Sequence, residues 1–199
     1  MTIAWARPAA ENARPMLRPV LLTAGLLLAV AVRWAAVVSD ARDGVEIGLA
    51  FGIALLGVAF VGSQRVALTR TSSVAIGVAG GGVLVGLALL ARATGPVIAL
   101  RPALDFLPWA LATILVATAE ELVLRGVLLD ALACVGGVTM AVVLTSVLFA
   151  LIHVPLYGWH VVPLDLGVGL WLAGLRLVSG GVAAPAIAHT LADLATWWL

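Results

Sequence analysis

The stretch "LDFLPWALATILVATAEELVLRGVLLDALAC", residues 104–134, reads as one long apolar helix with two adjacent glutamates and an arginine set into its middle. It is longer than the ~20 mostly apolar residues that cross the hydrocarbon core of a bilayer. Glu120, Glu121 and Arg125 fall well away from both ends, where ionised groups are costly and rarely face lipid. The stretch therefore predicts a membrane-embedded helix whose charges meet partners inside the protein.

The remaining sequence agrees. Of 199 residues, 63% are apolar and 11% charged, with mean hydropathy +1.19; a soluble domain carries roughly a quarter charged residues. A net charge of +1 leaves no footprint for nucleic acid. The basic residues are all arginine, which together with the alanine content suggests a GC-rich bacterial genome. The lone Cys134 has no disulfide partner in the chain, so compartment is not readable from cysteine usage.

Apolar runs predict an all-α polytopic bundle of about seven transmembrane helices, at 17–38, 45–62, 73–91, 104–134, 138–157, 162–178 and 182–198. The breakers "SDARDG", "GSQRVALTRTSS", "CVGG" and "SGG" separate them. The first run is too long for a signal-peptide core and holds Arg33, so an uncleaved anchor is expected. Residues 1–199 read as a single membrane domain, with scaffold helices in 1–103 and the polar chemistry in 104–198. Arg7, Arg14, Arg18, Arg65, Arg70 and Arg176 lie on the N-terminal side of the bilayer, against Arg42, Arg92 and Arg101 on the other. That bias predicts a cytoplasmic N-terminus in a bacterial cell membrane. Trp34, Trp109, Trp159, Trp197 and Trp198 then share the outer interface. In the third run, Gly77/Gly81 and Gly82/Gly86 have the small-xxx-small spacing that permits close helix approach.

The membrane-depth ionisable groups cluster late in the chain: Glu120, Glu121, Arg125, His153, His189 and Asp193. Glu121 and Arg125 are four apart with the acid first, the favourable order for a helical ion pair, and read as structural. Consecutive helix residues point about 100° apart, which turns Glu120 away from that pair and from its partners. His189 and Asp193 share one face of the last helix. Positions 120 and 153 are equidistant from the Gly136–Gly137 break, each about 25 Å away, so Glu120 is expected opposite His153. Glu120, His153 and His189 should converge in a pocket open to the cytoplasm. Asp165 and Arg176 read as structural or cavity-lining, His160 as interfacial, and Arg33 as snorkelling.

A buried carboxyl that can take a proton from water and return it is a general base; histidines beside it can orient the water or stabilise an oxyanion. There is no G-x-S-x-G motif, and Cys134 has no base near it in sequence. H-E-x-x-H is also absent, although a glutamate and two histidines could in principle hold zinc.

"EELVLR" (Glu120, Glu121, Arg125), "FALIH" (Phe149, His153) and "HTLAD" (His189, Asp193) fit E-E-x-x-x-R, F-x-x-x-H and H-x-x-x-[N/D]. In this order, on successive membrane helices, they resemble the CPBP family: CAAX prenyl proteases of the Rce1 type and the bacteriocin-processing, Abi-like or immunity proteins. The resemblance covers about residues 104–198. It implies an intramembrane endopeptidase acting on a membrane-associated protein or peptide within the lipid bilayer. Glu120 and His153 would activate the attacking water, His189 and Asp193 would serve the oxyanion, and Glu121, Arg125 and Phe149 would support them. The family is often described as metalloproteases, but the glutamate mechanism needs no metal and no cofactor is expected. Asp193 departs from the asparagine of the eukaryotic-type enzymes, and an ionised aspartate would repel an oxyanion. A non-catalytic immunity or interaction protein is the alternative. A proton-coupled transporter would also need buried acids, but no inverted repeat or paired half-helices are visible.

Overall fold

The computed structural model describes residues 16–40, 44–63, 73–93 and 105–199. The arginines at 7, 14, 42, 65, 70 and 101 and most of the first two breakers lie outside these residues. The described chain is all helix: α1 (Leu17–Asp40), α2 (Val45–Gly62), α3 (Ser73–Ala93), α4 (Phe106–Glu121), a π-helical segment (Leu122–Leu128), α5 (Leu129–Tyr157), a 3₁₀ turn (Trp159–Val161), α6 (Val162–Ser179) and α7 (Ala183–Ala195). Among the described residues, five helical stretches are long and apolar enough to cross a membrane. One of them, 52 residues long, is interrupted at Gly137, where φ is 81° and ψ 169°. A side chain would be strained at that φ, and glycine is not. The chain reverses there, so this stretch makes a hairpin at the expected break. The last helix has only 13 residues, about 20 Å of rise. That is shorter than the expected 182–198 run and than the ~30 Å hydrocarbon core.

Helix directions alternate, which gives the bundle two distinct ends. At one, Arg18 at the start of α1 donates to the Gly62 carbonyl at the end of α2 (2.8 Å). At the same end Arg176 near the close of α6 meets Asp130 (3.2 Å), one short arm before Gly137. At the other end, Phe106 and Trp109 at the start of α4 pack on Trp197 and Trp198, with ring centroids 4.7–5.4 Å apart. The turn at Gly158 (φ 87°) lies at this second end, between α5 and α6.

Lipid tails are as apolar as leucine, so helix association here depends on close packing and polar contacts rather than on the hydrophobic effect. The α3–α7 contact shows how. A Cβ on Gly77 would lie 2.8 Å from the Ala184 carbonyl oxygen, and one on Gly81 would lie 2.9 Å from Leu191 and 3.1 Å from the Ala188 Cα. The first small-xxx-small pair thus seats α7 directly on α3. Gly82 and Gly86 have open space instead, so the second pair is not used within the chain. Leu22, Leu26 and Val30 of α1 meet Phe51, Leu55 and Ala59 of α2 in the same apolar core as Val123, Leu124, Val127 and Leu128. Large apolar side chains such as Leu28, Phe60 and Leu90 are left on the outside, as a lipid-facing surface requires.

Candidate active site

The polar residues of 118–126 are held in place by a defect in their own helix. From Leu122 to Leu128 the backbone is π-helical, a form that occurs mostly as short bulges, often at functional sites. Beyond it, the Leu129 N–H bonds to the carbonyls of Gly126 and Leu124. The Arg125 carbonyl is taken instead by the Arg176 Nε–H of α6, at 2.9 Å. Arg176 therefore pins the irregular segment with one nitrogen and pairs with Asp130 through another. It was expected to be structural or cavity-lining; its partners lie on the π segment and α5.

Arg125 is completely buried. Its Nη1 donates to Glu121 Oε1 at 3.1 Å, the pair expected from the i, i+4 spacing, and its Nη2 donates to the Gly169 carbonyl of α6 at 2.9 Å. Gly169 is required there by closeness: a Cβ would sit 3.1 Å from the backbone of Ser146 on α5. The Arg125 guanidinium also lies 4.7 Å from the Phe149 ring centroid, in range for a cation–π contact. Phe149 in turn packs against both histidines, 4.7 Å from the His153 ring and 5.3 Å from that of His189. One aromatic ring thereby spaces the cation and the two imidazoles.

His189 of α7 reaches both glutamates. Its Nδ1 is 3.1 Å from Glu121 Oε1, and its Nε2 is 3.9 Å from Glu120 Oε2 and 3.5 Å from Asp193 Oδ2. The 100° separation of adjacent residues was expected to deny Glu120 and Glu121 a common partner; the imidazole enters between them and meets each with a different nitrogen. Because Glu121 Oε1 also accepts from Arg125, it acts as an acceptor, and Nδ1 of His189 carries the hydrogen. Glu121 is thus both the counter-ion of Arg125 and the anchor of His189. Its other oxygen, Oε2, is buried without a hydrogen-bond partner.

His153 is placed differently from the simple hairpin expectation. Its Nδ1 lies 2.7 Å from the Phe149 carbonyl, which can only accept, so Nδ1 is the donor and Nε2 offers its lone pair. The nearest carboxylate is Asp165 of α6, with Oδ2 at 3.7 Å, rather than Glu120. Glu120 and His153 remain within electrostatic range of each other. The structure thus brings Glu120, Glu121, Arg125, Phe149, His189 and Asp193 into direct proximity, with His153 joined through Phe149. Arg33, expected to snorkel, lies instead over the Phe51 ring at 4.8 Å and within electrostatic range of Glu120. Asp165 was read only as structural or cavity-lining and Gly169 was not singled out; neither belongs to a spacing motif.

Side-chain exposure increases in one direction: 0% for Glu121, 4% for Glu120 and His189, 18% for His153 and Asp165, and 42% for Asp193. The last three lie nearest the Gly158 end. The site therefore opens at the end opposite the start of α1. A cytoplasmic N-terminus and a pocket open to the cytoplasm, both expected from sequence, exclude each other in this fold. An apolar cavity of about 400 Å³, lined by Val85, Leu89, Phe106, Leu191, Leu194 and Trp198 among others, also lies at this end, on the face of α7 turned away from His189 and Asp193.

Residues 102–195 match the family model of Rce1-like type II CAAX prenyl endopeptidases. No curated protein and no solved structure matches the chain.

Because Glu121 neutralises a fully buried cation, Glu121→Gln should sharply reduce folded protein, by about 3–5 kcal/mol for an ion pair broken in the interior. Replacing both partners, as Glu121→Gln with Arg125→Met, should recover part of that loss. Thermal unfolding in detergent checks this; a single variant as stable as wild type would contradict the account.

Proposed function

From the Rce1-like domain formed by residues 102–195, we infer that this multi-pass membrane protein is an intramembrane endopeptidase that cleaves a membrane-associated peptide or protein. The observation that carries this reading is the unequal situation of two adjacent carboxylates. Glu121 is committed to Arg125 and His189. Glu120 is nearly as buried, yet its ion-pair contact among the described residues is a long one, to His189 Nε2 at 3.9 Å. An acid held in a low-dielectric pocket without a committed cation suits proton transfer.

On this reading, His153 Nε2 accepts a hydrogen bond from the attacking water while Glu120 takes a proton from it. The oxygen adds to the peptide carbonyl carbon, and the negative charge passes to the carbonyl oxygen. His189, anchored through Nδ1, presents Nε2–H to that oxyanion. Glu120 returns its proton to the leaving amine as the C–N bond breaks. Asp193, 3.5 Å from His189 Nε2, lies beside the nitrogen proposed as the donor and compensates the charge on its ring, a use for an acid where asparagine was the eukaryotic-type residue.

Glu120→Gln keeps the shape but cannot take a proton. It should leave a folded protein with turnover reduced by roughly 10²–10⁴, the usual contribution of a general base. The assay compares membrane-bound peptides, by mass spectrometry, from cells carrying wild type or the variant. Identical cleavage products in both would favour the non-catalytic interaction role.

We further propose that the mechanism uses no metal. No three His, Cys, Asp or Glu among the described residues are grouped to hold an ion, and the glutamate mechanism needs none. Elemental analysis should find well under one zinc per chain; stoichiometric zinc lost with activity in His153→Ala would overturn this.

The proposed setting is a bacterial cell membrane with the N-terminus cytoplasmic, which places the site opening on the outer side. Exposed Cys134 lies at the Gly137 end and reports orientation directly. A membrane-impermeant maleimide should label it only after the cells are permeabilised; labelling of intact cells would reverse the orientation and put the opening in the cytoplasm.

A further inference from the structure

Asp165 occupies the first turn of α6, where a carboxylate is ordinarily explained by its attraction to the helix N-terminus. Its geometry points elsewhere. No side-chain hydrogen bond caps the start of α6, and the side chain is only 18% exposed. Its Oδ2 reaches back across the Gly158 turn to within 3.7 Å of His153 Nδ1. The turn produces this meeting. His153 lies one turn before the end of α5, Asp165 lies in the first turn of α6, and the chain between them reverses at Gly158 (φ 87°) through a single 3₁₀ turn, Trp159–Val161.

His153 is thus held from three sides. Phe149 supplies its carbonyl to Nδ1–H at 2.7 Å and its ring at 4.7 Å, Tyr157 stacks on the imidazole with centroids 6.0 Å apart, and Asp165 supplies the carboxylate. The carbonyl fixes the tautomer but carries no net charge, so opposing a charge that develops on the ring falls to carboxylates, of which Asp165 is the one within 4 Å of Nδ1 among the described residues. His189 and Asp193 of α7 are the other ionisable groups within electrostatic range of Asp165. Glu120, from α4, and the Arg125 guanidinium, against the same Phe149 ring, complete the charged surroundings of His153.

We propose that Asp165 is a positioning residue of this site: its carboxylate, set across the Gly158 turn, holds His153 with Nε2 towards the attacking water and balances the charge that builds on the imidazole as the water is activated. This rests on the proposed role of His153. A histidine that orients water works only if its ring is fixed and its transient charge is met, and a carboxylate on the far nitrogen does both. Asp165 touches neither water nor substrate and acts through the imidazole.

The test has an arm that needs no substrate. The chain contains three histidines, so ¹⁵N-histidine-labelled protein in detergent gives few ring signals, assignable by single His→Gln variants. Asp165→Asn should shift the ring nitrogens of His153 more than those of His189 and leave His160 unmoved. An unmoved His153 would overturn the proposal. The kinetic arm uses a quenched fluorescent peptide built on a cut site that appears in wild-type but not Glu120→Gln membranes. Asp165→Asn should lower kcat roughly tenfold to a hundredfold, a fraction of what a general base contributes, with KM little changed. In a His153→Ala background the same substitution should cost nothing further, because its effect passes through the missing ring. Multiplicative losses in the double variant would mark a merely structural Asp165 and sink the proposal while sparing the proposed chemistry. Full activity in His153→Ala would instead defeat the role of His153. If Asp165→Asn does not fold, Asp165→Glu carries both arms: it keeps the charge but displaces it, so it should fold, shift His153 and lower kcat. Wild-type His153 signals with wild-type kcat would count against the assignment.

Discussion

One guanidinium buried in a medium without water organises the second half of this protein. Arg125 has no exposed surface, and an uncompensated cation there would be prohibitive. Its compensation comes from three different elements: Glu121 on α4, the Gly169 carbonyl on α6 and the Phe149 ring on α5. Glu121 then extends the network to α7 through His189. Each contact constrains a different helix, so neutralising one charge fixes the relative positions of four. The π-helical segment belongs to the same constraint: its Arg125 carbonyl requires a donor from outside the helix, and Arg176 of α6 provides it.

The same constraint separates two carboxylates that sequence places side by side. Glu121 shares one oxygen between Arg125 and His189. Glu120 has no such commitment and shares the outer part of the site with His189 and Asp193. Environment rather than residue type distinguishes them, the general way one site assigns different tasks to chemically identical acids. Close packing beneath the site serves this arrangement. Gly77 and Gly81 let α7 approach α3, which sets the depth at which His189 enters between the glutamates.

The legibility of this structure in its sequence follows from what membrane sequences encode. Apolar run length marked the helices, and the glycine pair at 136–137 marked the hairpin that Gly137 makes with φ 81°. The i, i+4 spacing gave the Glu121–Arg125 pair, and ordered motifs gave the region that matches the Rce1-like model. Rotation was not legible. A segment such as α4, apolar on nearly every face, carries no amphipathic signal to say which way a polar residue turns. That is why Arg33 was assigned to the interface, whereas it packs over Phe51. Gly169 escaped notice, and Asp165 was noticed without a partner, for a related reason: one meets the site through its backbone carbonyl and the other across a turn, and neither leaves a periodic mark.

The acid at 193 becomes intelligible in the same terms. An asparagine there could donate its own N–H to a developing oxyanion, whereas an aspartate cannot do so when ionised. Asp193 nevertheless lies 3.5 Å from His189 Nε2, the nitrogen on the Glu120 side of the ring. With Nδ1–H already directed at Glu121, a second hydrogen on Nε2 makes the ring a cation, and carboxylates on both sides compensate it. Under the proposed mechanism that cation is a stronger donor to an oxyanion than a neutral amide, since charge-assisted hydrogen bonds are roughly twice as strong as neutral ones. An aspartate at 193 would then support the same step indirectly, by sustaining the donor rather than by being one.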